Sequence, residues 1–176
     1  MEKQASRIGR EIVRGGEVAG KKKISIDKMM KAIEQAASQA LSDDVFPIVK
    51  EAMQENIESV VYGAYTPKMY DRREYDGGLI ADENIVGQMD GKLRLEVRNI
   101  TPPADGPGYT TDKDLPAVVE YGTKSQYDFY DPDKPAGFAN PRPFIEYTRE
   151  DLNSRKKELS EIVAKRIIQN LKKTKF

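Results

Sequence analysis

Residues 27–61 read DKMMKAIEQAASQALSDDVFPIVKEAMQENIESVV, and their pattern decides the class of fold. Met29, Met30, Ile33, Ala36, Ala37, Ala40 and Leu41 recur at the 3.6-residue period of an amphipathic helix. Asp27 stands where an N-cap would stand, with the helix starting at Lys28. Ser42-Asp43-Asp44 and Pro47 interrupt the pattern. Proline removes a backbone donor and is tolerated in a first turn, so the spacing predicts a kink or a restart there. The period resumes with Ile48, Val49, Ala52, Ile57, Val60 and Val61. A stripe of this kind is most simply hydrophobic core.

Downstream of the helix the chemistry changes. Tyr62, Tyr65, Tyr70 and Tyr75 alternate with Lys68, Arg72 and Arg73, and Gly77-Gly78 closes the stretch. Leu79 to Val86 and Leu93 to Ile100 read as two strands, the second strictly alternating as Leu93, Leu95 and Val97 against Arg94, Glu96 and Arg98. Asp90-Gly91 supplies a tight hairpin turn between them. Residues 101–143 then hold eight of the ten prolines, and so long an irregular stretch is usually functional or ordered by binding. Inside it, Leu115 to Tyr121 is an apolar island, either a strand or one helical turn ending at Gly122. Pro143 suits the first turn of a long C-terminal helix marked by Phe144, Thr148, Leu152, Leu159, Ile162, Val163, Ile167 and Leu171. The expected architecture is α+β: two long helices packed on a small antiparallel β-sheet, with a long Pro-rich loop and an N-terminal helical arm. The arm is residues 1–27, and 28–176 form a single domain.

Composition narrows the function classes. There is no Cys, His or Trp in 176 residues. Zinc and soft metals want thiolate or imidazole, and Ser or Cys nucleophiles normally need an imidazole base, so those chemistries lose their equipment. No metal or cofactor is expected, and no apolar run approaches the ~20 residues of a membrane span. Lys+Arg and Asp+Glu balance at 29 each, but they are segregated. Residues 1–31 and 149–176 each carry a net +5, and the middle carries −10. Basic ends and an acidic centre suit head-to-tail pairing with further copies or with layers above and below.

The remaining candidate sites are weak. Asp43-Asp44, Asp82-Glu83 and Asp131 with Asp133 are the acid pairs open to carboxylate or hard-metal chemistry, yet the glycine and closing glutamate of a calcium loop are absent. Gly106-Pro107-Gly108 is a turn, because no Lys-Ser/Thr follows it. The Tyr62–Tyr75 stretch resembles a stacking surface for single strands, but Asp71, Glu74 and Asp76 lie among its cations and repel phosphate. Tyrosine and arginine equally suit protein–protein contact.

Three segments, in order, resemble one family. They are Tyr65-Thr66-Pro67-Lys68-Met69-Tyr70-Asp71-Arg72-Arg73, then Val119-Glu120-Tyr121-Gly122-Thr123, then Asn140-Pro141-Arg142-Pro143-Phe144-Ile145. Together they are similar to the tail-completion or head–tail joining (neck) proteins of siphophage-type phages, in the variant of Gram-positive phages. Those proteins show an E-aromatic-G-T segment followed by a Pro-Phe helix start. Gly77-Gly78-Leu79 departs from their Thr-Gly-Arg-Leu turn by lacking the threonine.

The resemblance implies a structural virion protein and no enzyme. It would form a hexameric ring that completes the tail tube and joins it to the head. Its partners would be its own copies, the tail-tube protein and neck, stopper or adaptor proteins, with at most incidental DNA contact and no membrane. It would be made in the host cytoplasm and end in the tail or neck of the virion. The expected interface residues are Tyr65, Tyr70, Arg72, Arg73, Tyr109, Glu120, Tyr121, Gly122, Thr123, Tyr127, Phe129, Tyr130, Arg142 and Phe144. Gly122 is expected at positive φ, Phe144 to pin the last helix to the core, and Glu120 to meet Arg72, Arg73 or Arg142. The alternative reading is a DNA-contacting head-completion adaptor; a carboxylate hydrolase is a distant third.

Overall fold

The periodic stretch winds as one continuous helical rod in the computed structural model, which describes residues 26–64, 66, 73–103, 114–122 and 141–174. The rod comprises α1 (Ile26–Gln39), a π-helical turn (Ala40–Val45), α2 (Phe46–Asn56) and a second π-helical turn (Ile57–Tyr62). Asp27 lies inside the first turn of α1, where its charge suits the helix dipole, and is not a cap. The expected interruption is a change of winding. Phe46 N–H reaches back to the Leu41 carbonyl, an i→i−5 bond, just before Pro47 enters the first turn of α2 with no N–H to donate.

The hairpin is present but shifted. β1 is Ile85–Met89 and β2 is Leu95–Asn99, antiparallel, with Ile85 opposite Asn99 and Met89 opposite Leu95. Ile85, Gly87, Leu95 and Val97 therefore share one face, and Glu96 and Arg98 form an ion pair on the other at 2.8 Å. Gly87 has a packing reason: a Cβ there would lie 2.6 Å from a ring carbon of Phe46 at the start of α2. The turn is longer than Asp90-Gly91, closing with Asp90 N–H to the Arg94 carbonyl at 2.8 Å, and it leaves Leu93 exposed, outside the strand. Leu79, Ile80 and Ala81 are not strand either. All three are buried in succession, which an alternating strand cannot do. Their backbone is satisfied from elsewhere: Gln54 Nε2 donates to the Ile80 carbonyl at 2.9 Å and Asn99 Nδ2 to the Leu79 carbonyl at 2.7 Å.

The apolar island is helix α3 (Leu115–Tyr121), capped by Asp114 Oδ1, which accepts from Ala117 N–H at 3.2 Å. The C-terminal helix is two helices, α4 (Phe144–Ser154) and α5 (Lys156–Lys173), meeting at Arg155 with φ −91° and ψ 8°. The bend keeps α4 on α2 while α5 runs antiparallel along α1. Ala36, Ala37 and Ala40 are the small buried residues on the α1 side. Arg166 of α5 grips Asp44 of the π turn with two bonds of 2.8 and 2.7 Å. Met53, Ile57, Val61, Leu79, Ile80, Ile85, Val119 and Phe144 form the core, where rod, sheet, α3 and α4 converge. The fold class is α+β, as expected, with a long N-terminal helix.

Candidate assembly surface at the α3–α4 junction

The two described segments of the family resemblance, Val119–Gly122 and Pro141–Ile145, meet in space. α4 begins with a difficulty: its N-cap position is Pro143, which has no polar side chain to receive the free N–H groups of the first turn. Glu120 supplies the acceptor from α3. Its Oε2 accepts from Ile145 N–H at 2.7 Å and its Oε1 from Glu146 N–H at 3.1 Å. The carboxylate is 4% exposed and lies at the positive end of the helix dipole. A backbone bond from Arg142 N–H to the Val119 carbonyl at 2.9 Å closes the clasp beside it. Phe144 is fully buried in the core, and Thr148 Oγ1 donates to its carbonyl at 2.7 Å.

Gly122 leaves this clasp at φ 71° and ψ 171°, a backbone region that is essentially glycine-only. The positive φ is as expected. It turns the chain out of α3 while Tyr121 stands at the surface, 75% exposed, between buried Glu120 and the turn. The long Pro-rich segment is thus tied at both ends. At its start Thr101 is buried, and Arg73 Nη2 donates to the Pro102 carbonyl at 2.9 Å. Its far end is held by the clasp.

Several expectations need correction at this point. Glu120 does not pair with Arg73, since both its oxygens serve backbone N–H groups and Arg73 is engaged by Pro102. Phe144 pins the helix as expected, but full burial removes it from any contact surface of this chain. Arg142 is 9% exposed and half-buried Arg73 is held internally, so Tyr121 is the expected interface residue that stands fully outward among those described. Tyr65, Tyr70, Arg72, Tyr109, Thr123, Tyr127, Phe129 and Tyr130 lie outside the described residues, as does most of the arm.

Two acid pairs have structural employment. Asp44, with Asp43 at 3.7 Å, serves Arg166. Asp82 takes Lys50 Nζ at 2.9 Å and Gln54 Nε2 at 3.0 Å, and the hydrogen bond from Lys50 above all holds its carboxyl below the ordinary aspartate range. Among the described residues no group of three or more Asp or Glu could hold a metal, and no helix is long and apolar enough to cross a membrane. Sequence reasoning missed the Glu120 cap. Its only signal was indirect: a helix starting at Pro-Phe with no Ser, Thr, Asp or Asn to cap it needs an acceptor from elsewhere.

A protein-family model, YomN, matches residues 25–173, which takes in the rod, the hairpin and both halves of the clasp. The chain belongs to the YomN family. One YomN relative, the SPbeta prophage-derived uncharacterized protein YomN of Bacillus subtilis strain 168, is 36% identical over 124 residues, covering 68% of this chain and 77% of the relative. YomN is therefore a phage-derived family. No solved structure matches the chain.

Proposed function

We propose that this YomN-family chain is a structural subunit of the phage particle, forming a ring at the head-proximal end of the tail that completes the tube and joins it to the neck. The carrying observation is the clasp. The Glu120-Tyr121-Gly122 segment and the Pro143-Phe144 helix start, which carry the likeness to tail-completion proteins, interlock through two carboxylate–backbone bonds. They tie down the end of a long Pro-rich segment and leave an aromatic side chain at the surface beside it. Proline lowers the entropy lost when such a segment docks, so the arrangement fits a chain that binds neighbours. The prophage origin of the relative agrees with this reading. In it the chain works without catalysis or cofactor, is made in the host cytoplasm, and contacts its own copies, the tail tube and the neck.

Immunogold labelling of particles from a lysate of the phage that carries this gene tests the role, together with the native mass of the purified protein alone and with tail-tube protein. Label at the head–tail junction and a closed oligomer are expected. Label absent from particles would overturn the reading. Label inside the capsid, with DNA binding that falls steeply with salt, would favour the DNA-contacting adaptor instead.

A further inference from the structure

Two helix faces of opposite sign lie uncovered on this chain. On the rod, Glu51, Glu55 and Glu58 follow i, i+4, i+7 spacing and all three are exposed. On α5, Lys165, Ile168 and Lys172 follow i, i+3, i+7 spacing and are exposed as well, with Ile168 at 52%. Among the described residues none of the five charged side chains makes a direct ion pair or hydrogen bond; Glu51 lies close enough to the Arg155 guanidinium at the α4–α5 bend to act on its charge, and Glu55, Glu58, Lys165 and Lys172 have no such neighbour. Each face is about 10 Å long at 1.5 Å per residue, so the two match in length as well as in charge. They cannot meet within one chain. Arg166 and Asn170 hold the lysine-bearing half of α5 beside Asp44 and Gln39, and Glu55 sits roughly 16 Å further along the rod.

We infer that the Glu51–Glu55–Glu58 face of one copy receives the Lys165–Ile168–Lys172 face of the next, head to tail. The inference rests on the ring proposed above and names the contact that would build it. The charges exclude pairing of like faces, because a face laid on its own kind would oppose like charges. Ile168 supplies an apolar centre between the two lysines. The two faces are different patches, so a heterologous contact leaves one of each free at the ends of every oligomer. Such a contact closes into a ring when the rotation per copy divides the circle.

The absence of cysteine from the chain makes the contact directly testable. Glu55→Cys protein is mixed with Ile168→Cys protein, oxidised mildly and run without reductant. A covalent heterodimer is expected well above the yield from a control pair, Glu55→Cys with Ser154→Cys. A chain carrying both substitutions should give a ladder of covalent oligomers. Lys165→Glu with Lys172→Glu should suppress the crosslink, and a partner bearing Glu51→Lys and Glu58→Lys should restore it. Yield no higher than the control, or dimers alone from the doubly substituted chain, would overturn the head-to-tail contact. If Lys165→Glu with Lys172→Glu instead abolished retention of a duplex oligonucleotide and left crosslinking unchanged, the lysine face would be a nucleic-acid surface and the inference would fail. The crosslink is read in solution and the virion role by labelling of particles, so either can fail while the other stands.

Discussion

Glu120 caps a helix it does not belong to: its Oε2 accepts from Ile145 N–H at 2.7 Å, across the gap between α3 and α4. The geometry makes Glu120 a folding residue first, because a nearly buried carboxylate holds two N–H groups that would otherwise lose water without gaining an acceptor. Glu120→Ala is expected to lower stability by about 2–3 kcal/mol, as for loss of a cap made by a charged acceptor. Glu120→Gln keeps one acceptor oxygen and should cost roughly half as much. Denaturant unfolding of the two variants checks this, and an unchanged midpoint for Glu120→Ala would refute the clasp.

Gly122 carries the second constraint of the same motif. At φ 71° and ψ 171° a β-branched residue has no unstrained conformation, so Gly122→Val is expected to cost on the order of 1–3 kcal/mol. Gly122→Ala should fall at the lower end of that range. A melting temperature equal to that of the parent chain would show that the turn relaxes into another conformation without strain.

The parts of the fold that were legible had a period. The Met29–Leu41 and Ile48–Val61 stripes specify a helix, and Leu95, Val97 and their charged neighbours specify a half-buried strand. Illegible were the places where a distant group resolves a local difficulty. Leu79–Ala81 looks like strand because it is apolar, yet Gln54 and Asn99 supply its hydrogen bonds in place of a ladder. The winding change before Pro47 depends on i→i−5 bonds such as that from Phe46 N–H to the Leu41 carbonyl, which no spacing of side chains announces, and the bend at Arg155 lies in an unbroken helical pattern. Glu120 and Ile145 stand 25 positions apart, with no spacing rule to join them. At the candidate site, the positive φ of Gly122 and the burial of Phe144 could be read in advance; which residues face outward could not.

Asp82 makes a pH-dependent contribution whose sign follows from its partners. Lys50 first and Gln54 second favour its ionised form, so its folded pKa lies below the unfolded value near about 4. The tie from the hairpin side to α2 is therefore fully present above about pH 4 and is lost as pH falls through the depressed folded value. Asp82→Asn should be less stable than the parent at pH 7, and the gap should close as pH falls through the depressed folded value. Unfolding curves for both proteins across that range measure it. A gap independent of pH would mean that the ionised form is not the one that matters. Because the Asp82 side chain is 78% exposed, the effect should also shrink with added salt.

Tyr121 offers the cleanest separation of assembly from folding. Its neighbour Glu120 is 4% exposed and bonded to α4, whereas Tyr121 is 75% exposed and contributes little burial to the free chain. Tyr121→Ala should leave monomer stability within about 0.5 kcal/mol of the parent, as for most surface changes. Exposed tyrosines that become interface anchors typically lose about 2 kcal/mol or more on truncation, which is roughly a 30-fold weaker association. Sedimentation velocity on the two variants therefore gives opposite patterns. Tyr121→Ala should be a stable chain that fails to form the oligomer. Glu120→Gln should assemble once folded, because its side chain faces inward. Normal assembly by Tyr121→Ala would leave the aromatic position of the E-aromatic-G-T segment without a role in contact, and the likeness to ring-forming tail proteins would then rest on a shared folding device alone.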